Sequence, residues 1–270
     1  MSGFDAAWLA LRERADDAAR SAATARFVDA LTPRAAELRV LDLGAGSGNN
    51  AAHLAPRIGA RADLPQRWTL VDDDAALLER AASRVRAIEG VSRVDARVAD
   101  LATGLSDLAL GDVDVVTATA LFDLASAAWI DRCADAIAGA GVPAVLAALT
   151  VDGRVEWTPK DPLDARASEL FHSDMERDKG LGVALGGGAA DALVAALSRR
   201  GYACEVVDSA WRLGADDGAL QRRYLEDVAD VIEPSDERAR VWRERRRTWI
   251  EEGASRLLVG HSDVLALRDA

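Results

Sequence analysis

Residues Val40–Leu54 read VLDLGAGSGNNAAHL, an apolar run, an aspartate, three glycines at alternate positions and a polar helix start in one short span. A glycine-rich turn between a strand and a helix lets the backbone approach a ligand closely. It also aims amide N–H groups and the helix N-terminus at that ligand. The string parses in two ways. From Gly46, GSGNNA satisfies G-x-G-x-x-G/A with Ala51 in the last place, the pattern that cradles a pyrophosphate. From Asp42, DLGAGSG is D-x-G-x-G-x-G. Glycines alone serve NAD, flavins and S-adenosylmethionine equally, so the decision falls to the flanking elements.

Outward from the turn, Arg39–Leu43, Trp68–Asp72, Val94–Val98, Asp112–Ala120 and Val142–Val151 read as five buried strands. Helical stretches lie between them, and Asp74 is placed to cap AALLERAASRVRAI. Strands alternating with helices of this length predict right-handed βαβ units, and near-continuous apolar strands predict a sheet buried on both faces. Residues 4–31 carry Phe4, Trp8, Leu9, Leu11, Ala15, Ala18, Ala19, Ala22, Phe27, Val28 and Leu31 at mostly helical spacing and should stop near Pro33. After strand five, Asp152-Gly153 signals a turn into a hairpin. Tyr202–Val207 and residues 256–267 supply two more strands, and charged helices run over 216–230 and 235–251. The expected fold is α/β: a doubly wound, mostly parallel seven-stranded sheet with helices on both faces. As one domain over 1–270 it divides into N-terminal helices (1–35), a cofactor-binding half (36–153), a lid over the acceptor pocket (154–188) and a C-terminal half (189–270) with a helical insertion at 214–253.

Three carboxylates stand at three successive strand ends: Asp42, Asp72 and Asp100. A pyrophosphate needs the helix N-terminus clear, and Asp42 just before the turn would have no role beside it. S-adenosylmethionine has no phosphate and carries an ammonium and a sulfonium, which an acid at Asp42 favours. Asp72 can accept from both ribose hydroxyls, and Asp100 from the exocyclic amine of adenine. The succession VLDLGAGSG, WTLVDDDAALL, VADL and DVDVVTATALFD resembles the class I, seven-stranded S-adenosylmethionine-dependent methyltransferases over roughly residues 38–153. The resemblance implies cofactor contacts from Asp42, Gly44, Ala45, Gly46, Gly48, Asp72, Asp73, Asp100, Leu101 and Thr119. The stretch TATALFD, Thr117–Asp123, occupies the fourth motif, which borders donor and acceptor. It is not the N/D-P-P-Y/F form found in methylases of base and glutamine amino nitrogens. The segment RIGARADLPQRW reads as a surface insertion.

Ligand crevices in open α/β sheets lie at the carboxyl ends of the strands. That places Phe122 and Asp123 after strand four, Trp157 after strand five, and the 154–188 insertion near an acceptor. If ASELFHSDMERDK is helical, His172, Glu176 and Lys179 share one face, opposite Ala167, Phe171 and Met175. His172 and Asp123 are the candidate bases, and Phe122, Trp157, Glu176 and Lys179 the candidate acceptor contacts. A base is needed only for a protonated acceptor; a carboxylate acceptor needs a cation instead.

The chain has 270 residues and a formal net charge of −12, which disfavours a nucleic-acid partner. Arg243, Arg245, Arg246 and Arg247, with Trp242 and Trp249, form one basic-aromatic cluster, read as a helix turning its tryptophans inward and pairing its arginines with Glu244, Glu251 and Glu252. Cys133 and Cys204 are too few for a disulfide framework, and no His/Asp/Glu group has metal-ligand spacing. His53 and His261 read as structural. No apolar run approaches a membrane span and no signal peptide is evident, so a cytoplasmic enzyme acting on a small molecule is expected. An NAD-dependent oxidoreductase and a non-catalytic adenosyl-binding protein are the competing readings of the same sheet.

Overall fold

The computed structural model describes residues 6–32, 35–62, 64–105 and 108–268. Phe4 and Pro33 of the N-terminal helix reading lie outside them. One long helix, α1 (Ala6–Ala30), leads into β1 (Leu38–Leu43), and the glycine turn passes the chain to α2 (Asn49–Ala62). Then follow β2 (Gln66–Asp72), α3 (Ala75–Arg86), β3 (Val91–Val98), β4 (Val115–Thr119), α4 (Ala127–Gly139) and β5 (Ala144–Thr158). The remainder is α5 (Asp164–Met175), α6 (Ala189–Ser198), β6 (Tyr202–Asp208), β7 (Trp211–Leu213), α7 (Gly218–Ile232), α8 (Ala239–Glu251) and β8 (Arg256–Arg268). Asp74 caps α3 as its position promised, its side chain accepting from the amides of Ala76 and Leu77.

The sheet runs β3-β2-β1-β4-β5-β8-β6, with β1 to β5 parallel and β8 antiparallel to its neighbours. Strand order therefore reverses between β1 and β4, which opens a crevice at their carboxyl ends. Among the described residues the sheet has eight strands, one more than expected: β7 pairs with the start of β8. A three-residue strand is too short to show a period. The Asp152-Gly153 hairpin does not form. Instead β5 continues to Thr158 through a register shift between Val151 and Val155, with Gly153 at φ +86°. The partner strand makes room with Gly260, where a Cβ would lie 2.0 Å from Asp152 Oδ1.

Nor is RIGARADLPQRW a surface insertion. α2 takes its first half, and Gln66 is buried at the start of β2, donating from its side-chain amide to the Ala55 carbonyl at 2.9 Å.

Two apolar layers sandwich the sheet. A third core gathers Trp157, Trp211, Tyr224 and Trp242 between the far ends of β5, β7 and β8 and the helices α5, α7 and α8. The buried side of α1 is only partly apolar: Leu11, Ala18 and Ala22 are exposed and Trp8, Ala15 and Ala19 pack half-buried on the third core, whereas Arg12, Asp16, Arg20 and Thr24, four residues apart, are buried together with Ala23, Phe27 and Val28. Among the described residues no helix is long and apolar enough to cross a membrane.

Candidate active site

A cavity of about 360 Å³ lies across the carboxyl ends of β1, β2 and β4. Its floor is the glycine turn and Asn50. Asp72, Asp73, Asp74 and Leu77 with Ala99–Ala102 line it after β2 and β3, Leu121 and Lys179–Leu181 line it beyond β4, and α1 adds Leu9, set against Gly46, with Arg12 and Asp16.

The turn is held open by Asp72. Gly46, at φ +51°, donates its amide to Asp72 Oδ2 at 2.7 Å, and the Asp74 amide donates to Oδ1 at 3.0 Å. A side chain at 46 would carry the cost of a left-handed backbone. Burial pushes the Asp72 carboxyl up, and the two amides oppose it. Gly48 serves packing instead. A Cβ there would lie 3.0 Å from Ala81 Cα, so its absence lets α2 close on α3. Asp100 accepts from the Ala102 amide at 2.8 Å and sits on the cavity wall beside Leu101.

Asp42 is fully buried and does not reach the cavity wall. Asn50 stands between: its Nδ2 donates to Asp42 Oδ1 at 2.6 Å and to Thr117 Oγ1 at 3.1 Å. Arg20, also buried, donates to Asn50 Oδ1 at 2.6 Å and to Thr119 Oγ1 at 3.3 Å. Burial pushes the Asp42 carboxyl up to about 7, with Asn50 and Arg20 pulling the other way. Its Oδ2 has no partner, as is true of Arg20 Nε.

Of the expected acceptor contacts, only Lys179 lines the cavity. Phe122 is in the core against Trp129, 6.0 Å between ring centroids, because the 3₁₀ turn after β4 points it inward. Trp157 is buried between Tyr224 and Trp242 in the third core. The helix ends at Met175 with Glu176 as its exposed C-cap, one turn from His172, and Lys179 lies beyond it, so the expected polar face keeps His172 and Glu176 but not Lys179. His172 is half-buried away from the cavity wall, its pKa lowered by burial against the pull of Glu176 and Asp152. Asp123 is fully buried behind the wall, pushed up to about 6 by burial, with Oδ1 unpartnered.

His53 is held between Asp17 (2.7 Å) and Thr24 (3.0 Å). His261 is buried on Trp211 and pushed down to about 3.

Arg12 and Asp16 carry no motif that marks them in the sequence, and Asn50 falls at a variable place of GSGNNA. The available signal was the Arg12, Asp16, Arg20 repeat on one side of α1, a spacing that surface ion pairs also produce.

The arrangement suits an adenosyl sulfonium. Carboxylates able to accept from a ribose and a base, Asp72 and Asp100, line the cavity with apolar Leu77 and Leu101, and a buried acid lies under the amide-lined turn. A pyrophosphate there would face Asp72, Asp73 and Asp74 with no cation among the lining residues after β2 and β3. S-adenosylmethionine is the cofactor that fits.

Residues 40–141 match a family described as a methyltransferase domain. No curated protein matches the chain. Among solved structures, a cyclopropane-fatty-acyl-phospholipid synthase-like protein from Lactobacillus casei ATCC 334 is similar at 17% identity and a TM-score of 0.55, covering 98% of this chain and 95% of that one. A geranyl diphosphate C-methyltransferase from Streptomyces coelicolor A3(2), captured with Mg2+, geranyl diphosphate and S-adenosyl-L-homocysteine, is 14% identical with a TM-score of 0.48, covering 92% and 77%. At such identities the likeness is one of fold. The methyltransferase-domain match over residues 40–141 takes in the acid-flanked glycine turn and most of the residues that line the cavity it floors.

Proposed function

We propose that the chain transfers a methyl group to a small-molecule acceptor that enters between α1 and the 179–181 loop, in a cytoplasmic setting. One observation carries the reading. The cavity that holds the cofactor residues is also lined by the apolar side chains of Leu9, Leu121, Leu124 and Leu181. Its volume is at the lower end of the range for small-molecule sites. Both cysteines are free, and the arginines of α8 are taken up by acids of the fold, which supports a small acceptor over a nucleic acid.

Bound S-adenosylmethionine supplies a methyl group already activated by a sulfonium. The protein's share is alignment and water exclusion. Gly46 and Asp72 fix one end of the cofactor site, Asn50 and Thr119 its middle, and the leucines keep the acceptor end dry.

Thermal unfolding tests the cofactor. S-adenosylhomocysteine at ~100 times its dissociation constant adds about 2.7 kcal/mol and raises Tm by several degrees, whereas NAD leaves it unchanged. Asp72→Ala removes a ribose acceptor and the anchor of the Gly46 amide together. It should weaken S-adenosylhomocysteine at least ~10-fold, about 1.4 kcal/mol. Stabilisation by NAD alone would overturn the assignment.

A further inference from the structure

The cavity is electrically polarised. Asp72, Asp73, Asp74 and Asp100 line it after β2 and β3, and its two cations, Arg12 and Lys179, both lie close enough to Asp123, after β4, to act on its carboxyl. Most arginines of this acidic chain are paired with acids, but these two cations keep donors free. Arg12 gives only its Nε to Asp16, at 2.8 Å; its terminal amino groups have no protein partner among the described residues. Lys179 Nζ has no ion pair among the described residues, and its nearest polar contact is Met175 Sδ at 4.0 Å. Arg12 is nonetheless well placed. Its guanidinium lies 5.8 Å from the Trp8 ring and 5.1 Å from the Trp211 ring, and Trp211 Nε1 donates to Asp16 at 2.9 Å. A cation fixed on three sides and open on the fourth is built to meet an anion.

Around the two cations the wall is leucine. Among the described residues the cavity is lined by no histidine, cysteine or tyrosine. The acid beside Arg12, Asp16, is already held by Arg12 and Trp211. Asp123 lies behind the wall, where both cations act on its carboxyl. No group beside the two cations, among the described residues, is free to take a proton from a hydroxyl or an ammonium.

We infer, building on the methyltransferase reading above, that the acceptor is a monocarboxylate with an apolar body, its carboxylate held between Arg12 and Lys179, and that the product is its methyl ester. The step balances without a base. A carboxylate oxygen forms the new O–CH3 bond as the S–CH3 bond breaks, the electron pair stays on sulfur, and a neutral ester and a neutral thioether result. No proton moves.

The test uses the whole protein saturated with S-adenosylhomocysteine and titrated calorimetrically with octanoate and phenylacetate, with octanol and octylamine as controls. The carboxylates should bind at least ~10-fold more tightly than the controls. Lys179→Met, in a segment without ion pairs, should lose ~10-fold in carboxylate affinity, the size of one charge-assisted hydrogen bond. Arg12→Met should do the same, with both variants keeping their affinity for S-adenosylhomocysteine. With S-adenosylmethionine, the methyl group taken up should be released as methanol by alkali. Equal binding of octanol or octylamine, no binding of either carboxylate, or unchanged affinity in Lys179→Met overturns the inference. So does an Arg12→Met variant that loses S-adenosylhomocysteine but keeps 5′-methylthioadenosine, because Arg12 would then hold the cofactor's own carboxylate. Failure of the wild type to bind S-adenosylhomocysteine would instead remove the methyltransferase reading itself, and this inference with it.

Discussion

Asp42 is a carboxyl kept out of water beside one amide donor and a buried guanidinium, and that balance sets a pH dependence. Its pKa of about 7 in the folded chain stands above the value of about 4 expected when unfolded. Between those limits the folded protein holds a proton that the unfolded chain has released. Stability from this group is therefore full below pH ~4, declines as pH rises to about 7 and is flat beyond. Asp42→Asn keeps an acceptor for Asn50 and removes the titration. Urea unfolding at pH 5 and pH 8 should show a smaller fall in stability in the variant than in the wild type. The difference approaches ~1.4 kcal/mol for each pH step over which only the folded state holds the proton. Equal falls would show that Asp42 does not titrate in this window. The sequence made this acid visible, and its place at the end of an apolar strand implied burial. It did not show Asn50 standing in front of it or Arg20 arriving from α1, because both contacts depend on how helices settle over the strand ends.

The element that best shows how local pattern and long-range packing divide the work is α8. Helical spacing predicts inward tryptophans and outward arginines; Trp242 is fully buried, but Trp249 is only half-buried and Arg246 is turned inward with Trp242. The partners do not follow. Arg243 and Arg247 meet Glu226 of α7, Arg245 meets Asp161, and Arg246 is buried on Asp164 with its guanidinium 4.9 Å from the Trp157 ring. Only Glu244, beside Arg247, was foreseeable from the helix itself, and Glu251 and Glu252 were not the partners. Sequence-local pairing is readable from spacing; pairing between elements requires the fold. Trp242 also donates to Asp164 at 2.9 Å, so it fills a core and satisfies a carboxylate at once. Trp242→Ala should cost about 3–5 kcal/mol, read as a lower urea midpoint with an unchanged slope. A loss below ~1 kcal/mol would mean the third core collapses around the gap.

At the scale of the whole molecule, the stretch expected to cover the site is divided in two. α5 is committed to the third core through Leu163, Ala167 and Phe171. Residues 179–181 border the cavity because Leu181 is bound back to the start of α4: its carbonyl accepts from the Ser126 amide at 3.1 Å and hydroxyl at 2.8 Å. Gly182 permits this closeness, with φ +86° and a hypothetical Cβ 2.6 Å from Ser126 Oγ. Gly182→Ala should push the loop off α4 and weaken acceptor binding several-fold, while Tm moves by no more than a few degrees. A titration of the S-adenosylhomocysteine complex with octanoate measures the first effect and a thermal scan the second. Unchanged octanoate affinity would show that the loop's anchorage does not matter to the pocket. Gly180 and Gly182 are visible in the sequence, but a glycine that frees a loop and one that fastens it read the same there.

The meeting of α1 with β7 and β8 bears on how the protein is made. Asp16 accepts from Trp211, and Arg20 lies within the field of Asp263. The glycine turn and its three aspartates leave the ribosome before β7 and β8, yet the α1 wall of their cavity is held in place by those later strands. A nascent chain therefore carries every signature of the cofactor site before that wall is fixed, and ligand capture reports that two parts of the fold distant in sequence have found each other.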